Sequence, residues 1–259
     1  MSGNNRAGLI IQPRDQVLFR ELATMRLIDR EQAKVVAGFH STTRANTRLL
    51  ALTRAGLLRR YFTGSIVGGR KAIYTLSREG AAIVGAPFRV LSRQPDQTLA
   101  GDLFLQHQQG INRVYLAIKF QPKPAENIRL LRWLVFYKPI VEGIPLTPDG
   151  YGEIGTPQGN RAMFLEVDLG SEALTIWHGK IRSYLQLALS GEFPKRFQQP
   201  QFRVLVVVPS ERRLKNLRAL VASQTEKIFW FTTAEIINRE GLWAQVWLRP
   251  TGDQRQSLI

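Results

Sequence analysis

The stretch LTPDGYGEIGTPQGNRAMFLEVDLGSEALTIWHGKIRSY, residues 146–184, decides how the rest of the chain is read. Its middle, AMFLEVDL, is an apolar run of strand length. Alternation along it places Phe164, Glu166 and Asp168 on one face and Leu165, Val167 and Leu169 on the other. Asp149 lies upstream in a Pro-Asp-Gly turn. Two carboxylates on one strand face, near a turn that carries a third, make an oxygen-ligand set suited to a hard divalent cation such as magnesium or manganese. Lys180 follows in the first turns of a predicted helix containing IRSYLQLAL, from which its ammonium reaches back toward the acids. Acids and one lysine beside a short turn are how metal-dependent nucleases grip a scissile phosphate. The same residues also have a plainer use. Asp149 is an ordinary turn former, Lys180 an ordinary surface lysine, and Glu166 and Asp168 would keep the solvent face of an edge strand from aggregating.

Outward from this stretch the pattern is α/β. Downstream, FRVLVVV (202–208) is a β-branched run expected to be buried on both faces, Pro209-Ser210 turns into the helix ERRLKNLRALVAS, and KIFWFTTAE supplies another strand. Strand, helix, strand predicts a mixed sheet flanked by helices, joined by a right-handed crossover. Upstream, residues 98–118 carry a helical pattern ended by Pro122 and Pro124, and a strand is expected near Trp133–Tyr137.

The N-terminal part has a different rhythm. After a frayed lead-in over residues 1–12, Pro13 opens a helix, Asp29 caps a second, and Ser41 or Thr42 caps a third that presents Ala45, Leu49 and Leu52 inward. A hairpin follows, LLRRYFTG and AIYTLS about a turn through Gly68-Gly69-Arg70-Lys71, and Ser77 caps a short closing helix. Three helices and a basic-tipped hairpin predict a winged helix-turn-helix. Its third helix would enter the major groove of double-stranded DNA, with Thr43, Arg44, Asn46, Thr47 and Arg48 as contact residues and Arg70 and Lys71 at the wing tip. These divisions give a DNA-binding domain over 1–86, a proline-marked linker over 87–97, and an α/β domain over 98–259.

Charge supports a polyanionic partner. The chain of 259 residues has 36 Lys and Arg against 20 Asp and Glu, a net +16, and 16 of the basic but only 6 of the acidic residues precede residue 98. With no cysteine, a disulfide framework and a thiolate zinc site are both excluded. No apolar stretch approaches a membrane span and the polar N-terminal residues are not expected to be a signal peptide, so a soluble, cytoplasmic protein is expected. The absence of an aromatic stacking platform argues against an RNA-recognition module.

The segments STTRANTRLLALTRAGLLRRY, YTLSREG, HQQGINRVYLAI, FLEVDLGSE, KIRSYL and VLVVVPSERRLKNLR, with the PDG turn, together resemble the replication-relaxation proteins of plasmids and integrated mobile elements. The resemblance implies an N-terminal winged helix. It further implies, as in one class of mobilisation relaxases, a catalytic domain like the PD-(D/E)xK restriction endonucleases. Asp149 then matches the first acid and Glu166 the second. The lysine expected two positions on is Asp168 here, and Lys180 would replace it. His107, in a block with Asn112, would help at the site or brace it. An acid that relatives carry just after the tryptophan matching Trp133 is absent, since Leu134, Val135 and Phe136 stand there. If the site is active the cofactor is magnesium or manganese, and the partners are double-stranded DNA and other proteins of a mobile-element DNA-processing complex. The alternative is a non-catalytic regulator or accessory factor with an inert nuclease-like domain. Relaxases with a histidine-hydrophobe-histidine site and a tyrosine nucleophile are a poor match, because His40, His107 and His178 are scattered.

Overall fold

The structure, a computed structural model, describes residues 9–64, 70–89 and 103–259. The chain divides into two compact units, Met1–Asn112 and Arg113–Ile259.

In the first unit, α1 (Pro13–Met25) begins with Pro13 at its first position, and Asp15 accepts from the Gln12 backbone N–H at 2.7 Å. Asp29 caps α2 (Arg30–Ala37), accepting from Gln32 N–H, and Gly38 ends that helix in the left-handed region. Ser41, not Thr42, caps α3 (Thr42–Arg54), whose Ala45, Leu49 and Leu52 are fully buried as their spacing predicts. Strands β2 (Leu58–Gly64) and β3 (Arg70–Leu76) form the antiparallel hairpin. A two-residue strand, β1 (Ile28–Asp29), pairs with the outer side of β3 and makes a three-stranded sheet in the order β1-β3-β2. Sequence pattern alone missed β1, because two residues are too few to show alternation. Ser77 caps α4 (Arg78–Ile83), where a side chain on Gly80 would place its Cβ 2.1 Å from the Leu57 carbonyl oxygen.

Helix α5 (Leu103–Phe120) contains the division between the units. Leu105 packs with Leu27, Tyr61 and Ile73, and the Asn112 side-chain amide donates to the Leu27 carbonyl at 2.8 Å. The expected linker over 87–97 falls mostly outside the described residues, as do the Gly68-Gly69 turn and the expected helical start at 98–102.

The second unit is built on a five-stranded mixed sheet in the order β4-β5-β6-β7-β8. Strands β4 (Arg129–Leu134), β5 (Gly150–Thr156) and β6 (Gly159–Val167) run antiparallel, while β7 (Phe202–Val208) and β8 (Phe229–Thr233) continue parallel to β6. The strand expected at Trp133–Tyr137 begins earlier, at Arg129, and ends at Leu134. Beyond it Phe136 leaves the ladder and packs its ring near Phe164 and Phe197. Trp133 lies across β5 at a place where only glycine fits, since a Cβ on Gly150 would meet its ring at 2.7 Å. Helices α6 (Leu174–Leu189), α7 (Glu192–Phe197), α8 (Glu211–Ala222) and α9 (Ala234–Glu240) complete the unit.

Phe164 sits at the centre of the core, with the rings of Phe202, Tyr151 and Tyr184 at 5.0, 5.1 and 5.6 Å. Fully burying one such ring contributes about 1.5–3 kcal/mol, and the tilted contacts add to it. Because β6 is the middle strand, buried on both faces, its acids cannot be guards of an edge strand.

Candidate functional site

The β5–β6 hairpin brings Asp149 and Glu166 together. Gly150 pairs with Leu165, so Asp149 lies at the mouth of the hairpin. There its N–H donates to the Leu165 carbonyl at 3.1 Å and its Oδ2 accepts from Val167 N–H at 2.7 Å. Glu166 points to the face covered by α6. On that helix Trp177, Lys180, Ile181 and Tyr184 are spaced to share one side. Lys180 Nζ donates to Glu166 Oε2 at 2.9 Å, and Tyr184 OH donates to Glu166 Oε1 at 2.6 Å. A further carboxylate completes the group, with Glu172 Oε2 2.9 Å from Lys180 Nζ.

Electrostatics follow from burial. Loss of water around Glu166 pushes its carboxyl up to about 7; Lys180 opposes that rise and the charge of Asp149 adds to it. Burial works against the charge on Lys180, but Glu166 and Glu172 outweigh it and hold the ammonium above its ordinary range. Burial, with Glu166 beside it, keeps the Tyr184 phenol protonated well beyond neutrality. The group opens into a cavity of about 570 Å³, lined among others by Leu146, Thr147, Glu166, Lys180 and Ser183. The arrangement is an acid able to exchange a proton near neutral pH and a fixed cation at the wall of one cavity, with a second acid, Asp149, hydrogen-bonded to the strand that carries Glu166.

Asp168, expected as a third ligand, does something else. Its Oδ2 accepts from Trp177 Nε1 at 2.8 Å and from an Arg213 terminal nitrogen at 2.7 Å, while Oδ1 accepts from Arg213 Nε at 3.0 Å and Gly170 N–H at 2.5 Å. Four donors fill the lone-pair sites of a carboxylate. Burial would raise its pKa, but Arg213, Trp177 and the Gly170 N–H prevail and hold it below the usual carboxylate range. Asp168 is therefore a latch between the end of β6, α6 and α8, with both carboxylate oxygens occupied by these donors. Among the described residues no three His, Asp or Glu side chains converge to hold an ion. What remains is the pair Asp149 and Glu166, with Lys180 beside them.

In the first unit the expected contact helix presents Thr43, Arg44, Asn46 and Thr47 to solvent. Arg48 is committed elsewhere: its Nε donates to Asp15 Oδ1 at 3.0 Å, a terminal nitrogen pairs closely with Asp15 Oδ2, and the same nitrogen donates to the Ile10 carbonyl at 2.7 Å. It secures α3 to the start of α1, so its guanidinium is engaged within the first unit. Arg70 and Lys71, expected at the tip of the turn, are already in β3 opposite Gly64 and Thr63. Lys71 Nζ also pairs with Asp29 Oδ2 at 2.6 Å while half exposed. His107 lies on α5 within the first unit. Its neighbour in the block, Asn112, accepts from Gln108 and donates to Leu27, which makes it a brace for α5.

Tyr184, Glu172 and Arg213 escaped the sequence reading. Tyr184 carried a usable signal, standing one helical turn beyond Lys180 on a stretch already expected to be helical. Arg213 carried one too, because a cation in the first turn of α8 opposes the helix dipole and calls for an acid partner.

The family model described as replication-relaxation matches residues 19–199 of this chain. The match takes in most of the first unit, the whole of β4, β5, β6 and α6, and every residue of the Asp149–Glu166–Lys180 group. No curated protein and no solved structure matches the chain.

Proposed function

The chain belongs to the replication-relaxation family, and from that premise we propose that it binds DNA of a plasmid or mobile element and nicks or cleaves it at Asp149, Glu166 and Lys180. Family membership itself points to a role in plasmid or mobile-element replication or relaxation. The observation that carries the finer reading is the buried Glu166, ion-paired to Lys180 at the wall of a cavity, with Asp149 hydrogen-bonded to the neighbouring Val167 just before β5.

In this reading the first unit acts as a winged helix, with Thr43, Arg44, Asn46 and Thr47 facing the major groove and phosphate contacts supplying much of the affinity. Two carboxylates suit magnesium, which commonly takes one or two from protein and keeps its remaining positions for water and phosphate. Asp149 and Glu166 would hold that ion, or manganese, and when bound it polarises a phosphate and acidifies water. Lys180 offsets negative charge developing on the phosphate. Tyr184 fixes the Glu166 carboxylate in place, and Glu172 keeps Lys180 extended toward the cavity.

A second reading has its own support. Both oxygens of Glu166 are already hydrogen-bonded, one to Lys180 and one to Tyr184. That favours an inert nuclease-like unit in a DNA-binding regulator. Nicking of a supercoiled plasmid carrying the protein's own upstream region, with magnesium, manganese or EDTA, separates the two. Metal-dependent nicking lost in Asp149→Ala, Glu166→Gln and Lys180→Ala supports the nuclease. Intact binding of the same DNA with no nicking under any of these conditions supports the regulator.

A further inference from the structure

We infer that the cavity at the opposite end of the same sheet is a nucleotide-binding site that grips phosphate through Arg161, Arg203 and Arg249. The cavity, about 720 Å³, is walled by the starts of β6, β7 and β8. Arg161 stands five positions before Glu166 on β6, so the two sites lie roughly 16 Å apart along the strand. That volume is in the range of small-ligand pockets and takes a nucleotide.

Every charged side chain lining the cavity is a cation: Arg161, Arg203, Lys227 and Arg249. The Arg203 and Arg249 guanidiniums lie on the same indole, 4.4 and 4.8 Å from the Trp230 ring centroid. Both donate to main-chain carbonyls, Arg203 to Leu258 and Arg249 to Glu226. The Arg161 side chain makes no hydrogen bond or ion pair among the described residues. Elsewhere the second unit pairs its half-buried arginines with acids, as Arg213 with Asp168 and Arg132 with Glu153. Here three guanidiniums are gathered with no acid between them. Burial depresses Arg203 to about 10, and the neighbouring charges of Arg161 and Arg249 add to that shift. Cation–π contact with Trp230 offsets part of that cost and holds the planes apart for an incoming anion. Planar guanidiniums match phosphate oxygens two at a time. The rest of the rim is amide, with Gln158, Asn160, Gln199 and Gln201 presenting both donors and acceptors. A bare inorganic anion has no use for such a rim, whereas the base and sugar of a nucleotide do.

This inference goes beyond the proposed function and does not depend on it. The test is calorimetric titration of the full chain, without divalent metal, with inorganic pyrophosphate, with dATP and with a six-residue oligothymidylate. The expected result is binding of at least one nucleotide probe that weakens roughly tenfold or more in Arg161→Ala and in Arg249→Ala. Arg161→Ala removes no side-chain hydrogen bond or ion pair and relieves repulsion on Arg203, so its urea midpoint should not fall below the wild-type value. Tighter binding of the oligonucleotide assigns the site to the backbone of a strand, and tighter binding of dATP assigns it to a free nucleotide. Either outcome upholds a nucleotide site. No binding of any probe overturns the inference, as does binding of pyrophosphate alone or binding that both variants leave unchanged. Lys180→Ala should retain this binding whether or not the plasmid is nicked, so the two proposals fail separately.

Discussion

Lys180 holds Glu166 at 2.9 Å, and the pair is lopsided: the glutamate side chain is 2% exposed and the lysine 26%. The acid therefore depends on its partner more than the partner depends on it, since Lys180 also pairs with Glu172. Lys180→Ala leaves a charge buried without its cation. The expected loss is roughly 2–3 kcal/mol, less than the full cost for a completely buried pair because Lys180 keeps some water. Adding Glu166→Gln to Lys180→Ala should restore much of it. Urea denaturation of the three variants measures this, and a double variant no more stable than Lys180→Ala would contradict the pairing.

The same residue predicts a pH signature. Glu166 is raised from 4.5 to about 7 in the folded protein, so the folded state holds its proton more tightly than the unfolded state. Its contribution to stability is fully present below about pH 4.5 and is lost as pH rises through 7. Lys180 is also raised, so its contribution persists to alkaline pH and is lost only above its ordinary range. Asp168 is lowered, and its contribution disappears in acid. Between pH 4.5 and 7 the wild type should lose stability relative to Glu166→Gln. Parallel urea midpoints for the two proteins across that window would show that Glu166 does not titrate there.

Asp168 and Arg213 make the sharpest contrast with Glu166. Asp168→Asn removes the charge that a guanidinium grips at two points, at a cost of about 3 kcal/mol. Its effect should be thermal: a lowered melting temperature, with metal and DNA affinity retained in whatever protein remains folded. A variant of wild-type stability that had lost divalent metal binding would return Asp168 to the ligand set.

Arg44 and Arg48 share a helix and should behave in opposite ways. Arg44 is exposed, and Arg44→Ala is expected to weaken binding to a specific DNA site by ~1–3 kcal/mol without altering melting. Arg48→Ala exposes the buried Asp15 carboxylate and should destabilise the first unit by about 3 kcal/mol. Gel-shift titration beside thermal melting distinguishes them. Unchanged DNA affinity in Arg44→Ala would remove α3 from the interface.

The elements with strong local signals were legible in the sequence. Pro13, Asp29, Ser41, Ser77 and Ser210 mark helix starts because caps are local chemistry, and FRVLVVV declares a buried strand by composition. Grouping Asp149, Glu166 and Lys180 was also within reach, since a hairpin and the helix after it lie close along the chain. Asp168 was not. Nothing near it distinguishes a ligand from a latch, because its partner Arg213 is 45 positions away and arrives through a parallel crossover. The engagement of Arg48 was hidden for the same reason, being decided by Asp15 on a different helix. Alternation assigns a side chain to a face; what waits on that face is a tertiary fact.

The β5–β6 hairpin also sets an order of events. Thr156 pairs with Gly159 across a two-residue turn, whereas β6 must find β7 by joining Ala162 to Phe202, 40 positions on. Short-range hairpins close in microseconds, and long-range parallel pairing comes later. Lys180 is 14 positions from Glu166 on the helix that follows, so the contacts among Asp149, Glu166 and Lys180 are all short-range, whereas Arg213 reaches Asp168 across 45 positions. The group around Glu166 is therefore expected to form ahead of the Asp168 latch, which waits for the crossover through β7 to α8.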